Sequence, residues 1–228
     1  MDNSILRIYH GSENIIEAPV YGKGSLRNDY GRGFYCTANV ELAKEWACSR
    51  GSDGYANAYD LNMTELSVLR LNEPPYHILN WLAVLAENRT YWEKNSISEN
   101  AKQYMRDNFL VDISSYDIII GYRADDSYFT FAKNFVANAI SLQQLSKAMR
   151  LGKLGEQIVL KSEAAFSQIH FVNAASSEAG IYYYQKTARD RQAQREYRDS
   201  VRNSPNKNDL FMLDIMREGM KNGDARLL

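Results

Sequence analysis

The run Asp117-Ile118-Ile119-Ile120 constrains this chain more than any other segment. Residues 116–121 have strand length, and an unbroken apolar run with no polar alternation predicts a strand buried on both faces. Other short extended segments, bounded mainly by Gly, Asn or Asp, fall at 6–9, 33–37, 56–62, 66–71, 157–161 and 169–172. Helices interrupt them unevenly. One is expected at 40–50, with Leu42, Ala43, Trp46 and Ala47 on one face; another is opened by Pro74 and Pro75 and runs through Ala86; a third follows Ser98. A short helical stretch follows Asp126, and Ser141 with Gln144 forms a capping box before a helix at 142–150. From Ser176 the pattern is helical, split at Ser204-Pro205-Asn206, with Asn206 or Asn208 available to cap a last helix at 209–221. Strands and helices mixed in this way favour an α+β fold over a doubly wound parallel sheet.

Composition excludes several classes of function. The chain has 228 residues, 27 basic against 28 acidic side chains and a net charge of −1, so no whole-molecule field draws it to nucleic acid or an anionic membrane, although a local patch stays open. Two cysteines, Cys36 and Cys48, are too few for a disulfide framework, and no zinc spacing surrounds them. They are expected to be reduced thiols in a cytoplasmic protein. The start MDNSILRIYHGS has no basic region followed by an apolar run, and no stretch approaches the length of a membrane span. Neither GxGxxG nor GxxxxGK[ST] follows a strand. The 16 tyrosines and 3 tryptophans supply flat stacking surfaces as well as core volume.

Three clusters carry candidate chemistry: Tyr9-His10-Gly11-Ser12, Asp29-Tyr30-Gly31-Arg32-Gly33-Phe34-Tyr35-Cys36-Thr37, and Gly155-Glu156-Gln157-Ile158-Val159. In this order they resemble the ADP-ribosyltransferase superfamily, in its diphtheria-toxin-like and poly(ADP-ribose) polymerase-like branch with a His, Tyr, Glu triad. His10-Gly11-Ser12 matches the His-Gly-Ser/Thr step ending the first strand, Gly31 to Tyr35 the Gly-x-Gly-(Ile/Phe)-Tyr strand, and Trp46 the second aromatic residue eleven positions on. Aligning Ile158-Val159 puts Glu156 at the third position. An uncharacterised bacterial branch, sharing the Asp-(Tyr/Phe)-Gly-x-Gly-Phe-Tyr segment and a Gln-Ile-Val strand, points instead to Gln157. Adjacent strand residues face opposite sides, so only one of the two can enter a cleft unless a bulge intervenes.

The resemblance implies a split β-sandwich of two packed, largely antiparallel sheets with flanking helices over 1–175, and a helical extension packed on it over 176–228. It also implies NAD as co-substrate and no metal. His10, Gly11, Ser12, Tyr35, Thr37 and Trp46 would contact NAD, with Tyr35 and Trp46 as two walls of a nicotinamide slot and the Gly11 main chain on the carboxamide. His10 and Tyr35, with Glu156 or Gln157, would be the catalytic set. Asp125 and Asp126 follow the buried strand where a loop would meet the cleft, as acceptor-side carboxylates or as a helix cap. Arg27, Arg32 and Arg123 are candidates for the pyrophosphate.

The activity so implied is a mono-ADP-ribosyltransferase that moves ADP-ribose from NAD to a protein, RNA or DNA acceptor and releases nicotinamide. By analogy it would be the toxin of a bacterial toxin–antitoxin or anti-phage system, with an antitoxin protein as partner. The alternatives are a catalytically weak NAD- or ADP-ribose-binding module of the same fold, and an RNA 2'-phosphotransferase-like enzyme. Residues 186–202 hold six basic and three acidic side chains, the pattern of a solvated helix with pairs such as Arg195 and Asp199, or of a phosphate-contacting one.

Overall fold

A computed structural model describes residues 4–89, 96–151, 155–202 and 206–227, with the side chains of all of these but Ser96 and Asp126. In chain order the elements are β1 (Ile5–Ser12), β2 (Phe34–Cys36), α1 (Val40–Ala47), β3 (Gly54–Asn62), β4 (Val68–Arg70), α2 (Ile78–Asn88), α3 (Ser96–Phe109) and β5 (Ile118–Gly121). There follow α4 (Asp126–Val136), α5 (Leu142–Ala148), β6 (Gln157–Leu160), α6 (Glu163–Ser167), β7 (Ile169–Ser177), α7 (Ala179–Arg202) and α8 (Met212–Arg217). The class is α+β, with two sheets.

The first sheet runs β1-β3-β7, all antiparallel; the second runs β2-β6-β5-β4 and is antiparallel except where β4 lies parallel to β5. The isoleucine run of β5 is buried on both faces, as its pattern predicts. Ile118 and Ile120 pack with Ile8, Tyr59, Leu61, Ile158 and Leu160 between the sheets. Ile119 turns the other way, into the larger core with Leu69, Val159 and the α2, α4 and α5 side chains Leu82, Phe131 and Leu145. Burying each such aliphatic side chain stabilises the fold by about 1.5–3 kcal/mol.

Besides this side-chain packing, an antiparallel bridge joins the two sheets, where Tyr9 and Thr37 exchange main-chain hydrogen bonds of 2.8 and 2.9 Å. On the outer face of the first sheet α1 lies very close, and a Cβ on Gly11 would collide with the Ala43 carbonyl oxygen. Glycine is required there by helix–strand contact.

Several boundaries differ from the sequence expectation for tertiary reasons. The strand expected at 169–172 continues to Ser177 because β7 stays paired with β3 up to Gly54, so helix α7 starts at Ala179 rather than Ser176. The Asp53 carboxylate accepts from the Ala179 N–H at 2.7 Å and caps it. Pro74 and Pro75 precede α2 rather than open it; the helix is capped at His77, whose N–H donates to Asn80 Oδ1 at 3.0 Å. The last helix is shorter than 209–221 and is not capped by Asn206 or Asn208. Residues 209–211 are drawn out along the start of α5 instead, with Leu142 N–H on the Leu210 carbonyl at 2.7 Å and Leu210 N–H on Gln143 Oε1 at 2.9 Å. Asp214 then caps α8 by accepting from Phe211 N–H at 3.0 Å. Helix α6 was not foreseen, and the capping box at Ser141 and Gln144 is present with both of its hydrogen bonds. Of the break expected at Ser204-Pro205-Asn206, the first two residues lie outside the described residues.

The C-terminal segment shares the main core. Tyr197 of α7 stacks on Phe131 at 4.0 Å, and Met212, Ile215, Met220 and Leu227 join the same cluster. No helix among the described residues is long and apolar enough to cross a membrane.

Candidate functional site

Beside the Tyr9–Thr37 bridge lies a cleft of about 520 Å³, lined on one side by His10, Asn28, Asp29, Tyr35, Arg89, Arg123, Asp125 and Gln157. An apolar wall is made by Ile16, Ala18, Pro19 and Val20 of the loop after β1, and Lys23 of that loop, Phe34 and Phe166 also line the cleft. An apolar slot with a few convergent polar groups is the usual form of a small-molecule site.

His10 sits at the end of β1, with its ring stacked on Phe34 at 4.3 Å. Its Nδ1 lies 2.7 Å from the Tyr35 carbonyl oxygen. A carbonyl only accepts, so Nδ1 carries the proton and Nε2 is left with a bare lone pair. Burial pushes the imidazole pKa down, partly offset by that bond, which keeps the ring neutral at neutral pH.

Tyr35 belongs to β2, opposite Val159 of β6. Its hydroxyl donates to the Gly31 carbonyl at 2.5 Å and accepts from Tyr30 N–H at 3.1 Å. Gly31 turns the chain at φ +71°, and Lys161 Nζ clamps the same turn by donating to the Tyr30 and Arg32 carbonyls at 2.6 Å each. Burial raises the phenol pKa, so with its hydroxyl tied inward Tyr35 offers a ring to the cleft and no proton chemistry.

Gln157 opens β6 opposite Gly121, and it is 4% exposed. Its amide oxygen is buried with no hydrogen-bond partner among the described residues. A buried orphan acceptor is rare and costs about 1–3 kcal/mol, so it marks a place where a ligand donor is expected. Glu156 does not enter the cleft: it is exposed and accepts from Asn72 Nδ2 at 3.1 Å. Gln157 is the first residue paired in the β5–β6 ladder, opposite Gly121, whereas Glu156 precedes the strand.

Two carboxylate–guanidinium pairs line the cleft. Asp29, 2% exposed, accepts from Arg89 Nε at 2.8 Å and from Ala124 N–H at 2.9 Å. Burial raises the Asp29 pKa and the Arg89 charge opposes that rise. Arg123 Nε donates to Asp125 Oδ2 at 2.5 Å. The side chain of Asp126 lies outside the described residues.

The structure does not bring every expected residue to the cleft. The Trp46 ring lies under the Arg123 guanidinium and faces a neighbouring depression of about 400 Å³ shared with Arg89, Asp125, Lys133 and Lys186. Arg123 therefore stands where Trp46 was expected as the second wall. Ser12 and Thr37 bond to nearby loops instead: Ser12 Oγ donates to the Asn14 carbonyl at 2.5 Å, and Thr37 Oγ1 accepts from Asn39 N–H at 3.2 Å. The missing side chain of Gly11 is accounted for by α1. Its main chain is a separate matter, because Tyr9 turns its N–H and C=O away from β3 onto Thr37, and strand alternation turns those of Gly11 to the same side. Of the three candidate arginines only Arg123 is among the cleft-lining residues described.

Three further residues escaped sequence reasoning. Asn57, fully buried in β3, accepts from Ile16 N–H at 2.9 Å and donates to the carbonyls of His10 and Asn14, each at 3.2 Å, so it ties the apolar wall to β1. Tyr59 assists from the same strand by donating to the Ile16 carbonyl at 2.5 Å. An Asn set between Ala56 and Ala58 within the strand was the available signal. Arg89 carried none, since its partner Asp29 is 60 residues away.

Among the described residues no group of three or more His, Cys, Asp or Glu side chains is placed to hold a metal ion. Residues 6–171 match the model of one protein family, described as protein of unknown function (DUF3990). No curated protein and no solved structure matches the chain.

Proposed function

The chain belongs to the DUF3990 family, and we propose that its cleft binds NAD and transfers ADP-ribose to a macromolecular acceptor with release of nicotinamide. The observation that carries this reading is the convergence of His10, Tyr35 and Gln157 on one cleft beside the only bridge described between the sheets. Under it the two sheets form the split β-sandwich of the ADP-ribosyltransferases.

Cleaving the nicotinamide–ribose bond passes through an oxocarbenium-like state, in which the bonding pair leaves with nicotinamide and the acceptor atom then bonds the anomeric carbon and gives up a proton. The leaving group departs neutral, so the site needs to hold and orient rather than protonate. The Tyr35 ring would carry the nicotinamide and the Gly11 main chain its carboxamide. The bare Nε2 of His10 would accept from a hydroxyl of the adenosine ribose, and the orphan oxygen of Gln157 from one of the nicotinamide ribose. Asp125, at the rim shared with the Trp46 depression, is the carboxylate nearest an incoming acceptor. An intracellular toxin restrained by an antitoxin protein is the biological role we propose with this activity.

A second reading is favoured by Gln157 itself. An amide stabilises a cation only through its dipole, and both carboxylates in the cleft are matched by arginines. A module that binds NAD or ADP-ribose without turnover would need nothing more. Incubating the protein with adenylate-labelled NAD, cell lysate, RNA and DNA separates the two. Label transfer with nicotinamide release that Gln157→Ala abolishes supports the transferase; saturable NAD binding with no release supports the module; neither binding nor release rejects both.

A further inference from the structure

Four of the five arginines of helix α7, Arg191, Arg195, Arg198 and Arg202, follow at successive spacings of four, three and four residues, and all four are exposed. At about 100° per residue they fall within a single arc of about 60°, rising about 16 Å along the axis. That arc points away from the buried face of the helix, which is set by Ala193 and Tyr197.

The acidic residues of the helix do not neutralise the stripe. Asp190 accepts from Gln194 at 2.9 Å and Glu196 from Gln192 at 2.7 Å, and neither carboxylate forms an ion pair with a stripe arginine among the described residues. Only Asp199, flanking the arc, comes near an arginine, at 3.9 Å from Arg202. Among the described residues no ion pair holds Arg191, Arg195 or Arg198. The pairing of Arg195 with Asp199 expected from their spacing is not formed, and Arg189, on the inner side, is spent on Glu45 of α1.

We propose that this stripe is a docking surface for the phosphate backbone of a nucleic acid. Guanidinium forks match phosphate oxygens in pairs, and a regular ladder of them needs no other contact to hold a polyanion. The composition of the stripe separates this partner from others. The large apolar side chains exposed on α7, Ile181 and Tyr184, both precede it, so residues 185–202 offer neither an exposed aromatic or aliphatic anchor for a protein partner nor the apolar face of a membrane-surface helix. With a net charge of −1 on the whole chain, the attraction is that of a local patch and not of a whole-molecule field. The proposal uses none of the chemistry assigned to the cleft and stands or falls without it.

The test is fluorescence anisotropy of the full chain against a short labelled single-stranded RNA, its DNA counterpart and a duplex, in a salt series. Four phosphate contacts predict a log–log salt slope of about −3 for single strands and about −4 for duplex, a loss of roughly 50- to 150-fold between 50 and 200 mM salt. Replacing all four arginines by glutamine should flatten the slope and leave the melting temperature unchanged, since every replaced side chain is exposed. The four-lysine variant should keep the slope. Arg70→Gln with Lys207→Gln, removing two charges elsewhere, should keep it too. No saturable binding to any of the three nucleic acids, a slope unchanged in the glutamine variant, or preferential binding to polyglutamate or to anionic vesicles would overturn the proposal.

Discussion

The imidazole Nδ1 of His10 donates to the main-chain carbonyl of Tyr35 at 2.7 Å, a side-chain hydrogen bond that joins the Tyr9–Thr37 bridge in holding the end of β1 against β2 and that selects the histidine tautomer. The bond joins strands of different sheets and so ties the two site residues to each other. Burial of the ring, which this bond partly offsets, gives the site its pH dependence.

Burial lowers the folded pKa of His10, so between that lowered value and the ordinary value near 6.5 the folded chain binds fewer protons than the unfolded one. The stability contributed is complete above about pH 6.5 and is lost as pH falls through the lowered folded value. NAD affinity should accordingly stay flat from pH 8 to about 6.5 and decline only in more acid buffer, since protonation removes the Nε2 acceptor. Thermal melts and calorimetric titrations across this range check both, with His10→Gln expected to flatten the stability profile and to weaken NAD binding by roughly 10- to 100-fold.

Gln157→Leu should separate stability from function. It removes a buried, unpartnered carbonyl while keeping the volume similar, so urea denaturation is expected to show a gain of about 1 kcal/mol or more. NAD binding should be lost in the same variant. Glu156→Gln, exposed just before the strand, should change neither quantity measurably.

Asn57 is expected to be the costliest polar substitution near the cleft. Asn57→Leu strands the N–H of Ile16 and the carbonyls it serves at His10 and Asn14, a loss of about 2–4 kcal/mol. Hydrogen exchange should rise over residues 13–20 before it rises in the core, because these bonds fasten the apolar wall.

Two glycine-to-alanine changes should have opposite signs. At Gly11 the new methyl meets the main chain of α1, which cannot swing aside, and a destabilisation of about 2–3 kcal/mol is expected. At Gly180, in the first turn of α7 with open space around it, alanine should stabilise by about 0.5 kcal/mol. Paired melting curves read the difference.

What could be read ahead of the structure was what is local in the chain. The β5 isoleucines, the Ser141 capping box and the glycine turn before Tyr35 depend on neighbours within a few residues, and each was visible as a pattern. Register was not, although the choice between Glu156 and Gln157 turns on it: both are polar, and only the pairing of Gly121 with Gln157 says which one faces inward. Contacts between distant segments were hidden altogether. Arg123, following β5, covers Trp46 on α1, and the start of α5 holds residues 209–211 out of the last helix. Burial of Asn57 by the loop it holds belongs to the same kind.

The central claim is that His10, Tyr35 and Gln157 line a site for NAD. Calorimetric titration of the full chain with NAD at neutral pH tests it most directly. The account predicts one saturable site, lost in Gln157→Leu even though that variant is at least as stable as the parent, and intact in Glu156→Gln. Heats no greater than dilution for the parent chain, or binding that survives Gln157→Leu unchanged, would contradict it.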